Sequence, residues 1–247
     1  MSDYLFYQSA VRLPTVSHAQ GIYAWDEHGQ RYLDACSGAI VAQLGHGHPA
    51  VREAMLAQLD KVAFAYRTQF ENQPALDLAE RLVNLTGQRF DRVFFSSGGS
   101  ESVESALKIA RQYWYAKGES QRRVFISRKP AYHGSTMGAL AMTSYTPLTQ
   151  PFEPMFQHYP KIASPTQYRV PAGLSAEAHA IACADELEAA ILEIGAQNVA
   201  AFIAEPIGGA STGAEVPHDA YFPRIQAICK RHGILLILDE VMTGIGR

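Results

Sequence analysis

The stretch RVFFSSGGSESVESALKIARQYWYA, residues 92–116, contains the signals for a strand, a tight turn and a helix in succession. Arg92–Ser96 is a short, largely apolar run of the kind that forms a buried strand. The glycines that follow allow the backbone to turn tightly, and a helix is predicted from Glu101 to Ala116. A strand that leads directly into a helix is the repeating unit of α/β proteins.

The same alternation continues on the C-terminal side of this stretch. Strands are predicted at Val124–Ser127, Val199–Ala204 and Ile234–Leu238, and helices at Ser175–Ile194 and Ala220–Arg231. Strands that alternate with helices favour parallel pairing with helices on both faces of the sheet, so the predicted fold class is α/β with a mostly parallel sheet. Residues 143–173 are rich in Pro, Tyr and Gln, and they are expected to form a long excursion over the mouth of a site.

The N-terminal part of the chain has a different pattern of apolar and polar residues. Residues 21–34 alternate aromatic and polar side chains around His28-Gly29, which predicts a hairpin with its turn at that pair. One helix is expected to begin at Pro49 and another to run over residues 74–85. We therefore expect two parts: an α+β segment, residues 1–75, that contributes to a small domain and an interface, and a larger, incomplete sheet domain, residues 76–247.

The composition excludes several classes of protein. The net charge of the 247 residues is −3, without a basic run, so no nucleic-acid or membrane-surface partner is expected. Three widely separated cysteines predict neither a disulfide framework nor a zinc site, and they favour a reducing compartment. The first ten residues do not read as a signal peptide. The expected location is the cytoplasm.

The turn at Gly98-Gly99-Ser100 is the first candidate binding site. Free amides at a helix N-terminus bind phosphate well, and the hydroxyl of Ser100 adds a further donor. A capped turn without a ligand fits the motif equally well, and both interpretations stay open at this point. The pattern is neither GxGxxG nor a P-loop, so a dinucleotide or nucleoside triphosphate is not favoured.

Three more groups follow predicted strands, where ligands bind in open α/β sheets. Asp239 could pair with a protonated ring nitrogen or simply cap a helix, and Glu205 occupies the same place after another strand. Tyr132 could stack on a flat ring, although plain packing is the commoner role of a lone tyrosine. His46 and His48 have no third ligand at suitable spacing, so a turn is favoured over a metal site and no metal is expected.

The order of the motifs decides between these alternatives. The segments FFSSGGSESVESALKIAR, AYHGST, FIAEPIGG and ILLILDEVMTGIGR occur in this order, preceded by YAWDEHGQRYLDACSG and LGHGHP. Together they resemble the class III, or ω-type, pyridoxal-phosphate-dependent aminotransferases of fold type I, and the resemblance covers nearly the whole chain. It implies the N-terminal half of such an enzyme, with pyridoxal 5'-phosphate as the cofactor.

The resemblance also implies a role for individual residues. Gly99 and Ser100 match the pair that holds the cofactor phosphate. Around the ring, the matching residues are Tyr132, which stacks on it, His133 beside that tyrosine, Asp239 at the ring nitrogen, Val241 on the opposite face, and Glu205 in a supporting position.

The lysine that forms the Schiff base in this family lies beyond the DEVMTGIGR motif, whose last residue here is Arg247. Lys108, Lys117 and Lys230 are expected on the surface. We expect a two-piece transaminase that is inactive until a C-terminal half polypeptide supplies the lysine, with a second copy of this chain across a dimer interface. A truncated fragment of an aminotransferase or aminomutase, and a non-catalytic cofactor-binding or regulatory protein, are the alternatives.

The expected reaction moves an amino group from an amine or amino acid to a keto acid such as pyruvate. In the branches that act on ornithine, acetylornithine or GABA, a glutamate stands five residues after the Glu of the EP motif. Here that position is Ala210, which favours the pyruvate type.

Overall fold

The computed structural model describes residues 4–7 and 10–245. Two compact units divide the chain, Met1–Val93 and Phe94–Arg247. The boundary therefore falls after Val93, whereas the sequence suggested a division after residue 75. The role of residues 1–75 in a small domain and an interface stays a prediction.

The first unit contains a three-stranded antiparallel sheet in the order β1-β2-β3, formed by β1 Val16–Gln20, β2 Tyr23–Asp26 and β3 Arg31–Leu33. The predicted hairpin between β2 and β3 is confirmed. The side chain of Asp26 stabilises its turn by accepting the amides of His28 and Gln30, each at 2.9 Å. The sequence analysis missed β1.

Three helices complete the first unit: the short, irregular α1 Ser37–Ile40, α2 Pro49–Lys61 and α3 Gln73–Leu85. The predicted helix start at Pro49 is confirmed. The side chain of Asn72 caps α3 by accepting the amide of Ala75 at 3.3 Å. A proline in the first turn suits both α2 and α3, because the first amides of a helix have no partner within it.

The second unit is built on a four-stranded sheet in which every pairing is parallel. Its order is β5-β4-β6-β7, formed by β4 Val124–Lys129, β5 Lys161–Ala163, β6 Val199–Ala204 and β7 Leu235–Leu238. All six residues of β6 are buried, as expected of a central strand. The predicted parallel sheet is confirmed.

Helices cover both faces of this sheet. They are α4 Gly99–Ala116, α5 Met137–Met142, α6 Thr146–Thr149, α7 Ala176–Ile194 and α8 Tyr221–His232, with 3-10 turns at Gln150–Met155 and Ala196–Asn198. Successive side chains of a strand point to opposite faces. Phe202 accordingly packs in the core beneath α7 and α8, while its neighbour Ile203 packs in the core beneath α4 and α5. The α/β class is thereby confirmed.

Two expectations from the sequence were wrong. Residues 92–96 form no ladder with any described strand, and Phe94 and Phe95 are exposed. A strand requires a hydrogen-bonded neighbour, which an apolar run cannot specify by itself. Residues 143–173 are also more than an excursion, because they contain the edge strand β5, which pairs with β4. Among the described residues, no helix is both long and apolar enough to cross a bilayer.

Candidate active site

A cavity of about 210 Å³ lies in the second unit, where β4, β6 and β7 end and α4 begins. All seven residues singled out from the sequence line it. The lining residues are Gly99, Ser100, Tyr132, His133, Gly134, Glu205, Ile207, Gly209, Asp239, Val241 and Met242. A wider groove of about 720 Å³ runs along α4, and none of the seven lines it. The fold therefore brings the predicted residues together, while their roles remain predictions.

The N-terminus of α4 forms one end of the cavity. Gly98 caps this 18-residue helix, and Gly99 and Ser100 are its first residues. Their amides have no carbonyl partner within the helix, and the helix dipole favours an anion there. A methyl group added at Gly99 would lie 2.9 Å from Val241 Cγ1, so a side chain at this position would press against the residue that follows β7. The geometry suits a phosphate bound by backbone amides.

The loop that carries Tyr132 and His133 is fastened to α4. The amide of Ser135 donates to Ser100 Oγ at 3.0 Å. A methyl group at Gly134, whose φ is +129°, would lie 2.6 Å from the same oxygen, so the loop requires glycine there. The ring of Tyr132 remains 37% exposed and lines the cavity, which leaves it available to stack on a flat ligand.

The carboxylate of Asp239 is held from two sides. His133 Nδ1 lies 2.8 Å from Asp239 Oδ2, and the amide of Val241 donates to Oδ1 at 3.1 Å. Both side chains of the His133–Asp239 pair are almost wholly buried. His133 is anchored in turn, because its amide donates to Thr143 Oγ1 at 2.9 Å. These contacts give Asp239 one orientation at the cavity wall.

Glu205 is the second carboxylate of the cavity. Its Oε1 accepts the amide of Gly209 at 3.2 Å, and Arg128 Nη2 lies 3.6 Å from its Oε2. Arg128 was not predicted from the sequence, although a basic residue within the apolar run of β4 was an available signal. Thr143 was not predicted either, and the sequence offered no signal for it.

The lysines of the chain do not reach this cavity. All six lie in the described part, and none is among the lining residues: Lys61, Lys108, Lys117, Lys129, Lys161 and Lys230. The three expected on the surface are exposed, as predicted. The most buried, Lys161, donates through Nζ to the carbonyl of Ala141 at 2.7 Å, and burial, followed by the charge of Lys129, lowers its pKa to about 8.

His46 of the first unit pairs with a nearby carboxylate. His46 Nε2 lies 3.0 Å from Asp34 Oδ2, and the backbone amide of Gly38, followed by the His46 ring, holds the pKa of Asp34 below its usual range. In the described part of the chain, no three His, Cys, Asp or Glu side chains are grouped closely enough to hold a metal ion.

Comparison with known proteins gives a consistent family assignment. The family model for Aminotransferase class-III matches residues 7–247. An uncharacterized aminotransferase, YodT, of Bacillus subtilis is 42% identical over 100% of this chain and 56% of its own length. The putrescine–pyruvate aminotransferase of Pseudomonas aeruginosa is 36% identical over 94% of this chain and 51% of its own length.

The solved structures agree. An amine transaminase from an uncultivated Pseudomonas species superimposes with a TM-score of 0.94 and 38% identity, over 100% of this chain and 58% of that protein. The chain thus spans about half the length of the relatives it matches.

Proposed function

Because this chain belongs to the class III aminotransferase family, we propose that its cavity holds pyridoxal 5'-phosphate and that the chain forms the cofactor-binding half of an aminotransferase. One observation carries the proposal: a single cavity is lined by a helix N-terminus, an exposed aromatic ring and two carboxylates. These are the groups that bind a phosphate, a flat ring and a protonated ring nitrogen.

The part of the cavity around Asp239 is proposed to hold a proton on the ring nitrogen of the cofactor. When bound, pyridoxal phosphate supplies a protonated ring that withdraws electrons from the carbon bearing the substrate's amino group. Asp239 would hold the proton on the ring nitrogen through a charge-assisted hydrogen bond. His133 and the amide of Val241 keep the Asp239 carboxylate in place, because each bonds one of its oxygens.

The remaining residues bind and orient the cofactor. The amides of Gly99 and Ser100 and the Ser100 hydroxyl would bind the phosphate. Tyr132 and the side chain of Val241 would pack against the ring, and Glu205 would supply a second negative charge. Together these contacts would exclude water from the ring and orient it.

We place the lysine that attaches the cofactor outside these 247 residues, on a C-terminal half. Two facts support this: none of the six lysines lines the cavity, and the chain spans only 51–58% of the relatives reported above. The finer proposal is that a separate polypeptide carries this half. The active enzyme would then be a heteromer with two copies of each half, and this chain alone would be inactive.

The proposed reaction transfers an amino group from an amine or amino acid to a keto acid such as pyruvate. The 36% identity with a putrescine–pyruvate aminotransferase supports this class, as does Ala210 in the position where the ornithine and GABA branches carry a glutamate.

A second candidate is a non-catalytic protein that binds the cofactor without attaching it. No lysine is among the residues that line the cavity, and this fits a non-catalytic protein as well as it fits the two-piece enzyme.

One experiment separates the candidates. This chain is co-expressed with the polypeptide of the same organism that matches the C-terminal half of the family, and native mass spectrometry gives the composition of the assembly. Borohydride reduction and peptide mapping then locate any lysine attached to the cofactor. We expect a labelled lysine on the C-terminal half and conversion of pyruvate to alanine by the complex. Bound cofactor with no labelled lysine on either polypeptide would contradict the aminotransferase.

A native assembly in which both halves lie on one longer polypeptide would contradict only the two-piece arrangement. The amino donor is identified in the same preparation, by offering diamines, monoamines and amino acids in turn and measuring alanine.

A further inference from the structure

Arg128 lies behind the cofactor cavity and is buried more deeply than any other charged residue described above. It stands near the end of β4, and its side chain is only 3% exposed. It does not line the cofactor cavity but borders a much smaller one on the side of Gly208 and Thr212. Arg128 can therefore position a bound group only through a neighbouring residue.

That neighbour is Glu205, which follows the adjacent strand β6. Arg128 Nη2 donates to the backbone carbonyl of Glu205 at 2.6 Å and lies 3.6 Å from its carboxylate. Among the described residues, Glu205 is the only acidic group within ion-pair distance of this guanidinium. The nearby phenol of Tyr221 is no anion, because burial raises its pKa far above the neutral range.

Glu205 is in turn held by two hydrogen bonds, and one of its carboxylate oxygens has no hydrogen-bond donor among the residues that the structure describes. Oε1 accepts the amide of Gly209, the backbone carbonyl is held by Arg128, and Oε2 is buried without a hydrogen-bond donor in the described residues. An ionised oxygen with unused acceptor capacity is costly in a protein interior unless a partner arrives. The charged partner of this oxygen is the Arg128 guanidinium, whose Nη2 lies 3.6 Å away.

We propose that Arg128 is a positioning residue that keeps Glu205 ionised and fixed at the cavity wall, so that the cofactor ring meets two negative charges, Glu205 and Asp239. The inference rests on the proposed function. The other titratable residues that line the cavity are Tyr132 and His133, and neither contributes a permanent positive charge. Removing the Arg128 guanidinium would leave a buried, unpaired carboxylate, which takes up a proton or turns away.

The test uses the complete aminotransferase loaded with pyridoxal phosphate and follows its visible absorption from pH 5 to 10. Glu205→Gln preserves the shape and removes the charge. Because a nearby negative charge favours the protonated form of the cofactor, this variant should lower the pH midpoint of the absorption change by about one pH unit. Arg128→Gln should lower the midpoint in the same direction, and the double variant should lower it no further than Glu205→Gln alone.

The control is Arg224→Gln, which removes another arginine ion pair, the contact of Arg224 with Asp185 at 2.6 Å on the α7–α8 face. It should leave the midpoint unchanged. Dissociation constants for pyridoxal phosphate are measured in parallel by equilibrium dialysis of all variants.

The outcomes separate the hypotheses. An Arg128→Gln effect that is absent, opposite in sign or additive with Glu205→Gln would overturn the positioning role. An unchanged midpoint in Glu205→Gln would overturn the positioning role even if the Arg128→Gln enzyme failed to assemble. That failure is a risk because Arg128→Gln leaves Glu205 buried without a partner, and the double variant avoids this unpaired charge. Wild-type enzyme that binds no pyridoxal phosphate would instead contradict the proposed function itself.

Discussion

His133 Nδ1 lies 2.8 Å from Asp239 Oδ2, although 106 positions separate the two residues in the chain. Both side chains are almost wholly buried, and each is anchored by a further hydrogen bond, His133 to Thr143 and Asp239 to the amide of Val241. The pair joins the loop after β4 to the end of β7. It therefore couples Asp239, which we propose holds a proton on the cofactor ring, to the loop that carries Tyr132.

Replacing Asp239 by asparagine should remove the charge that keeps the ring nitrogen protonated and leave the side-chain shape intact. We expect kcat to fall about a hundredfold or more, the scale of a positioned proton-holding group, while the cofactor stays bound. Steady-state kinetics and the cofactor content of the purified variant measure the two effects. A near-normal kcat would remove Asp239 from its assigned role.

His133 should act through the orientation of Asp239. Asparagine can place an amide nitrogen close to the position of Nδ1, whereas glutamine reaches the position of Nε2, which has no hydrogen-bond partner in the described residues. We expect His133→Asn to retain several times more activity than His133→Gln, because only the former keeps a donor at Asp239 Oδ2. The kcat values of the two variants, compared at equal cofactor saturation, test this order. Equal losses would indicate that His133 serves packing alone.

Ser100→Ala should weaken cofactor binding, because it removes one hydrogen bond to a phosphate. The expected loss is about 1–2 kcal/mol, which corresponds to roughly a tenfold rise in the dissociation constant. Ser102→Ala is the matched control, since Ser102 lies on the same helix, outside the cavity, with its hydroxyl 2.6 Å from that of Ser96. If both variants bind pyridoxal phosphate like the wild type, the phosphate lies elsewhere.

Neighbouring glycines should respond differently to alanine. A methyl group at Gly99 meets Val241 Cγ1 at 2.9 Å, whereas one at Gly98 meets no atom within 4 Å. Gly99→Ala should therefore weaken cofactor binding severalfold and Gly98→Ala should leave it nearly unchanged. Val241→Ala should weaken binding by itself, because it removes a contact proposed for the ring, but adding Gly99→Ala to it should cost less than Gly99→Ala costs in the wild type. Equilibrium dialysis measures all the variants, and an equal cost in both backgrounds would show that the contact with Val241 is not the cause.

Lys161 should make stability depend on pH. Burial lowers its pKa from 10.5 to about 8 in the folded protein, so the unfolded chain binds more protons between these values. The free energy of unfolding should rise as the pH increases through this window, by at most about 3 kcal/mol from this residue. Urea unfolding of the complete enzyme at pH 7.5 and 10 should show the rise, and Lys161→Met should reduce it. The other groups titrate alike in the wild type and in Lys161→Met. An identical rise in the free energy of unfolding of the two proteins would therefore refute the assignment of this rise to Lys161.

Much of the fold was predictable because its signals are local. The alternation of apolar runs with amphipathic helices predicted β4, β6 and β7 in a parallel sheet, and with them α4, α7 and α8, but not α5 or α6. Arg92–Ser96 was wrongly predicted as a strand because its apolar residues do not specify a second strand with which it would pair. β1 and β5 were not predicted, because neither forms a distinct apolar run or follows a recognisable turn signal as β2, β3 and β7 do.

The ordered motifs by themselves indicated the family and seven of the eleven residues that line the cavity, because the motifs lie in the loops that join strands and helices. The last two residues of the final motif, Gly246 and Arg247, lie outside the described residues. Only the tertiary structure decided how those seven are held: His133 against Asp239 across 106 positions and Arg128 against Glu205 across 77. Hydrogen bonds and ion pairs act over a few ångströms, so the contacts of a buried polar group depend on how distant strands align.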